Sequence, residues 1–256
     1  MTALLLACTA LVGLAVGSFA NVVAHRVPQR VSVVAPRSRC GSCGVAVRSL
    51  DNVPVLSYLL LRGRCRSCGD TIPIRYVVVE AATSVLFAVM ALRFGLSPVL
   101  PAYLWVVASL VVISVIDAEH YLVLNRVLYP SVGVAAALFV LAAAVDGSWS
   151  NLLHAAVGAV AAFGVMAAVH FVKPSGLGFG DVRLSALLGL ALGWLGVAQV
   201  AVGMFFGFLL GSVFGIALVL TTSRTTASRL PFAPFLAAGA LLGVVAGGPV
   251  VHAWLG

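Results

Sequence analysis

Gly176-Leu-Gly-Phe-Gly-Asp-Val-Arg183 is the stretch on which the fold turns. It sets an acid, Asp181, between two strongly apolar segments, 154–172 and 184–221. A membrane interior disfavours an ionised carboxylate by about 2.5–3.5 kcal/mol on insertion scales, so an acid at such a place is a functional suspect by default. The glycines of Gly178-Phe179-Gly180-Asp181 let the backbone turn tightly and approach a bound peptide without side-chain obstruction. A second acid, Asp117, closes the apolar run 101–116. The expectation is that Asp117 and Asp181 meet at the membrane face and together cleave a peptide bond.

Composition sets the class. Hydrophobic residues make up 62% of the chain and charged residues 9%, where a soluble domain would carry about a quarter charged. The reading is an all-α polytopic membrane protein. The net charge of +8 could suit nucleic acid, but nine of the fifteen basic residues lie between His25 and Tyr76. That is the pattern of a cytoplasmic loop under the positive-inside rule. No nucleic-acid reading element accompanies it, so no nucleic-acid partner is expected. Membrane lipid is expected instead. Arginines such as Arg37, Arg39 and Arg48 are each attracted to anionic headgroups by about 1 kcal/mol.

Three regions follow. Residues 1–24 read as a first transmembrane helix, with Gly13 and Gly17 four apart on a close-packing face. Ser18 and Asn21 lie near its inner end, either as interhelical hydrogen-bonding groups or as part of the mouth of a site. Residues 25–76 read as a small cytoplasmic domain too poor in apolar residues for an ordinary core, so it needs a staple. Residues 77–256 read as a transmembrane core of seven further helices, over 77–93, 100–116, 128–145, 153–172, 184–195, 198–221 and 232–250. The 184–195 helix is expected to be short and tilted. Eight spans place both termini outside and Asp117 and Asp181 on one inner side at similar depth. The inner loops, including the one with Arg224 and Arg229, then hold fourteen of the fifteen basic residues.

The staple is legible. Cys40-x-x-Cys43 and Cys65-x-x-Cys68 are separated by 21 residues, a spacing that suits two knuckles closing one tetrahedral thiolate site. Structural Zn²⁺ fits; iron or two redox pairs are the alternatives. Cys8 stands alone in the first apolar run. The odd count argues against a secreted disulfide framework. Glu80 lies one turn inside the second span, where it must pair with an arginine such as Arg64 or Arg75, or bind a ligand.

Two acids can hydrolyse an amide when one carboxylate deprotonates a water and the other, protonated, donates to the carbonyl oxygen. Like charges a few ångström apart cannot both stay ionised, so the pair shares one proton. Metalloprotease and Gly-x-Ser-x-Gly motifs are absent from the sequence.

Nearly the whole chain resembles the type IV prepilin leader peptidase/N-methyltransferases. The resemblance rests on Gly17-Ser-Phe-Ala-Asn-Val22 with Arg26 and Pro28, the four-cysteine loop, Asn52-Val-Pro-Val-Leu-Ser57, Leu61-Arg-Gly-Arg-Cys65 and Arg75 through Glu80. Ile116-Asp117-Ala-Glu-His120 and Gly178-Phe-Gly-Asp181 complete it. The resemblance implies catalytic roles for Asp117 and Asp181 and a bacterial inner-membrane location with the site facing the cytoplasm. It implies a prepilin or pseudopilin substrate with a short basic leader. It further implies methylation of the new N-terminus from S-adenosylmethionine, with Gly63 and Glu80 at positions linked to that transfer. A peptidase that has lost methyl transfer is the alternative. The chain departs from the family pattern at Leu124, Gly41, Val77 and Ala233, none of them a proposed ligand or acid.

Overall fold

The computed structural model describes residues 2–174, 176–221 and 230–255. The loop arginines Arg224 and Arg229 lie outside the described residues. The described residues are helical throughout the apolar regions and contain no β-sheet, only isolated bridges at Arg39–Ala46 and Arg64–Thr71. Two compact units divide the chain, residues 1–96 and 97–256.

The first unit holds α1 (Thr2–Arg26), the short α2 (Leu56–Leu60) and α3 (Arg75–Phe94). The loop that carries the cysteines joins α1 to α3. Gly13 and Gly17 bring α1 against α3: a Cβ at Gly13 would lie 2.7 Å from the Ser84 Cα, and one at Gly17 would lie 2.8 Å from the Glu80 Cα. Ser84 Oγ donates to the Ala10 carbonyl across this seam at 2.9 Å. In lipid, where apolar burial does not drive helices together, such close van der Waals approach and interhelical hydrogen bonds do.

The second unit holds α4 (Leu100–His120), α5 (Asn125–Asp146), α6 (Trp149–Val172), α7 (Phe179–Gly193), α8 (Val197–Thr221) and α9 (Ala233–Leu255). Pro101 sits in the first turn of α4, where its missing N–H costs nothing. Tyr121, in the left-handed conformation, ends that helix, its N–H returning to the Asp117 carbonyl at 2.8 Å. The core of this unit lies around α7, most of whose residues are buried. The buried Tyr103 hydroxyl donates to the Ala191 carbonyl at 2.8 Å. That carbonyl belongs to the last turn of α7, which has no partner within its own helix. The Tyr103 ring packs edge-on against Phe139, which in turn meets Trp194 at 5.1 Å.

The count of eight spans is corrected by the structure. Among the described residues six helices are long and apolar enough to cross a membrane: α1, α3, α4, α5, α6 and α8. Helix α7 has 15 residues; at about 1.5 Å per residue it falls short of a hydrocarbon core about 30 Å thick. Of helix α9, the stretch Ala233–Gly248 is apolar.

Helix α7 is held to α6 by backbone contact. A Cβ at Gly189 would come within 2.2 Å of the Gly158 carbonyl oxygen, and one at Gly193 within 2.5 Å of the His154 oxygen. Backbone cannot rotate away as a side chain can. Gly189→Ala is therefore expected to cost about 1–3 kcal/mol as an overpacked contact, read as a lower melting temperature in detergent. Gly164→Ala is the control, since nothing lies within 4 Å of its Cβ position. It should be neutral or stabilise by up to about 1 kcal/mol through helix propensity.

Candidate functional site

Asp117 lies in the last turn of α4 and is buried, 5% exposed. Its Oδ2 accepts the Ala233 N–H at 2.9 Å, and the Phe232 backbone hydrogen-bonds it as well. Ala233 is the first residue of α9, and the first N–H groups of a helix have no partner within it. Pro234, the next residue, has no N–H to satisfy. The carboxylate thus meets an orphan donor and the positive end of the helix dipole. Ala233, a departure from the family pattern, is wholly buried and serves through its backbone.

Asp181 is the third residue of α7 and is 8% exposed. Its carboxylate turns back to hydrogen-bond the backbone of Gly178, the residue that caps the helix. This is the acid half of a capping box. The two glycines of the motif have separate jobs. A Cβ at Gly178 would lie 3.1 Å from Asp181 Oδ2, so a side chain there would push the carboxylate away. A Cβ at Gly180 would lie 2.9 Å from the Val123 Cβ, so the bare residue lets α7 start against the segment that follows α4. Asp117 and Asp181, 64 positions apart in sequence, belong to one unit, on helices α4 and α7 that touch.

Neighbouring groups fix the start of α7. Arg183 donates through Nε to the Phe179 carbonyl at 3.2 Å, lies 5.2 Å over the Phe179 ring and donates through Nη1 to Asn125 Oδ1 at the head of α5. His170 Nδ1–H donates to the Leu177 carbonyl at 2.7 Å. Glu119 and His120 are exposed. Reasoning from sequence did not name the Phe232–Ala233 backbone as a partner of Asp117. The available signal was Pro231-Phe-Ala-Pro-Phe235, a helix-start pattern with proline in the first turn.

The four loop cysteines also converge. All four Sγ atoms lie within 4.8 Å of one another, and Cys40 Sγ and Cys68 Sγ are 3.8 Å apart. A tetrahedral centre with Zn–S bonds of about 2.3 Å sets sulfurs about 3.8 Å apart, so the cluster can hold a metal ion. The two halves repeat one local structure. In the first, the Cys40 N–H donates to Val45 and the Gly44 N–H to Cys40. In the second, the Cys65 N–H donates to Asp70 and the Gly69 N–H to Cys65. Gly44 and Gly69 both take positive φ, 70° and 74°, which the return of each knuckle requires. Ser42 donates to Asp70 across the halves, and Arg66 pairs with Asp51 at 2.7 Å. The backbone N–H groups of Cys43 and Ser42 draw the Cys40 thiol down to about 6, which favours the thiolate a metal needs. At Cys68 the Asp70 backbone N–H pulls the thiol down. Desolvation and the other three sulfurs outweigh it and push the thiol up to about 12.

Glu80 is buried at 7% exposure and borders a cavity of about 500 Å³. Its Oε2 accepts the Val55 N–H at 2.7 Å. Val55 holds φ 60°, a conformation costly for a β-branched residue. Asn21, Tyr58 and Tyr76 line the same cavity. Gly63 does not line it; a Cβ there would strike the Tyr58 ring at 2.9 Å. Gly63 thus acts behind Tyr58, at φ 67°.

A model described as the Bacterial Peptidase A24 N-terminal domain matches residues 11–94. One described as the Type IV leader peptidase family matches residues 103–220. The chain is 34% identical over 244 residues to a prepilin leader peptidase/N-methyltransferase of Bacillus subtilis, covering 95% of each. It is 31% identical over 274 residues to one of Pseudomonas aeruginosa, covering 97% of this chain and 92% of that one. Against one of Myxococcus xanthus the identity is 39% over 216 residues, covering 83% of this chain and 62% of the other. No solved structure matches the chain.

Proposed function

The chain belongs to the type IV leader peptidase family, and from that membership we propose that Asp117 and Asp181 remove the basic leader of a prepilin or pseudopilin. It is a multi-pass protein of the bacterial inner membrane, and we assign the acid pair to the cytoplasmic face. The observation that supports the reading is that one unit buries two carboxylates at helix starts, Asp117 on the first N–H of α9 and Asp181 in the first turn of α7. In the proposed reaction one proton is shared by the pair. The ionised member takes a proton from water, the water oxygen attacks the scissile carbonyl carbon, and the protonated member donates to the carbonyl oxygen. Breakdown of the tetrahedral centre breaks the C–N bond and returns a proton to the leaving amine. The titration belongs to the pair, so neither residue is given a fixed role.

We assign the second activity, N-methylation of the freed amine, to the first unit. The Glu80 cavity is within the usual range for a small-molecule site, roughly 300–1,000 Å³. Its aromatic rings Tyr58 and Tyr76 and the buried acceptors Glu80 and Asn21 suit S-adenosylmethionine, which would supply the methyl group. Glu80 and Asn21 would hold polar groups of the reactants, Val55 would fix the Glu80 carboxylate, and Gly63 would set Tyr58. Cys40, Cys43, Cys65 and Cys68 would hold one structural zinc ion, with no position left for water. The exposed loop arginines Arg37, Arg39 and Arg48 face solvent, where they can meet lipid headgroups.

The test is co-expression with a prepilin, followed by the intact mass of the product. Loss of the leader with the gain of one CH₂ is the expected result. Loss of the leader alone would establish a peptidase without methyl transfer. An uncut product would overturn the peptidase reading.

A further inference from the structure

The carboxamide of Asn21 is 1% exposed, and its two ends differ. Nδ2 donates to the Gly17 carbonyl at 3.3 Å and to the Tyr76 carbonyl at 3.1 Å. Two carbonyl partners identify that atom as the nitrogen, because an oxygen there would face two acceptors. The other end, Oδ1, is buried and has no hydrogen-bond partner. A buried acceptor left unsatisfied is costly, and this one belongs to a side chain that lines the Glu80 cavity. Glu80 stands close by along the facing helix: Tyr76, which receives the Asn21 amide, lies one turn before it on α3. One Glu80 oxygen takes the Val55 N–H, and a carboxylate has acceptor capacity beyond one bond.

We propose that Asn21 Oδ1 and the Glu80 carboxylate form an acceptor pair for a primary amine or ammonium group of a ligand in this cavity. The class follows from the groups: two acceptors, one of them anionic, select a ligand bearing several N–H donors and positive charge. The inference rests on the methyl-transfer reading and deepens it. Two ligands of that reaction carry such a group, the freed N-terminus of the cut pilin and the α-ammonium of S-adenosylmethionine. A third possibility, an ordered water on Oδ1, would need no ligand amine at all.

The test pairs ligand changes with a residue change, so that a general loosening of the α1–α3 seam cancels. The full chain, purified with its metal, is titrated with S-adenosylhomocysteine and with its des-amino analogue. It is then titrated with a trimmed pilin peptide and with the des-amino peptide. The native protein should prefer the amine form of one pair by about tenfold or more, the scale of a hydrogen bond to a charged group. Asn21→Leu should shrink that preference several-fold, and the pair affected identifies the source. Asn21→Ser, which cannot reach as far, serves if the leucine variant does not fold. No preference in the native protein for either amine form, or an undiminished preference in the variants, overturns the proposal. Failure of S-adenosylhomocysteine to bind the native protein at all would instead count against the methyl-transfer reading beneath it.

Discussion

Asp117→Asn and Asp181→Asn are each expected to reduce leader cleavage by about 10²–10⁴-fold or more, the range of acid–base catalysis. Asn keeps the size and, at position 117, still offers an oxygen to the Ala233 N–H. It cannot take the proton of the attacking water, nor share one with the partner acid. The double variant should be hardly worse than either single one, because groups that act as a unit are lost together. Cut pilin supplied with S-adenosylmethionine should still be methylated by both single variants. Glu119→Gln, at an exposed position beside Asp117, should change cleavage by no more than about twofold, as surface substitutions generally do little. The measurement is the rate of leader loss by intact mass. A full-rate Asp181 variant would overturn the two-acid mechanism.

Cys40→Ser should take the zinc content from one ion per chain to near none. Three thiolates and a hydroxyl leave an incomplete ligand set, and the sulfur geometry described above depends on all four side chains. The knuckles have little else to hold them. Their backbone hydrogen bonds are local, and the loop between Val31 and Ser49 buries no hydrophobic side chain. Metal binding and folding of such a unit are therefore coupled. Proteolysis within 25–76 should accelerate, and methyl transfer should fall further than cleavage, because Asp117 and Asp181 belong to the second unit. Metal analysis of the native protein prepared without chelator is the direct check. A value near zero would remove the zinc assignment, and iron in its place would redirect it.

Much of this was legible in the linear chain because it is written in neighbours. The low fraction of charge excludes an ordinary soluble domain, and the run lengths of α1, α3, α4, α5, α6 and α8 mark them as candidate spans without reference to any contact. The cysteine spacing implies a four-sulfur site, and the positions of Asp117 and Asp181 beside apolar runs mark them as suspects. Hydropathy also sets the limit of that reading. It registers how apolar a run is but not where the helix starts and stops, so α7, 15 residues long, entered the count of spans.

The rest depended on which backbone atoms packing brings together. That Asp117 caps α9 is a bond between residues 116 positions apart, and no local pattern encodes it. The separate roles of Gly178 and Gly180 follow from the positions of Asp181 Oδ2 and Val123, and Gly63 is explained only by the Tyr58 ring against it. Glu80 was suspect from its burial, but the donor chosen, the Val55 N–H, required the loop to adopt φ 60° there. Asn21 could be called polar and near a site from sequence. Which end of its amide is satisfied, and which is left without a partner, is decided by α1 meeting α3 at one register, because a hydrogen bond tolerates only a few tenths of an ångström.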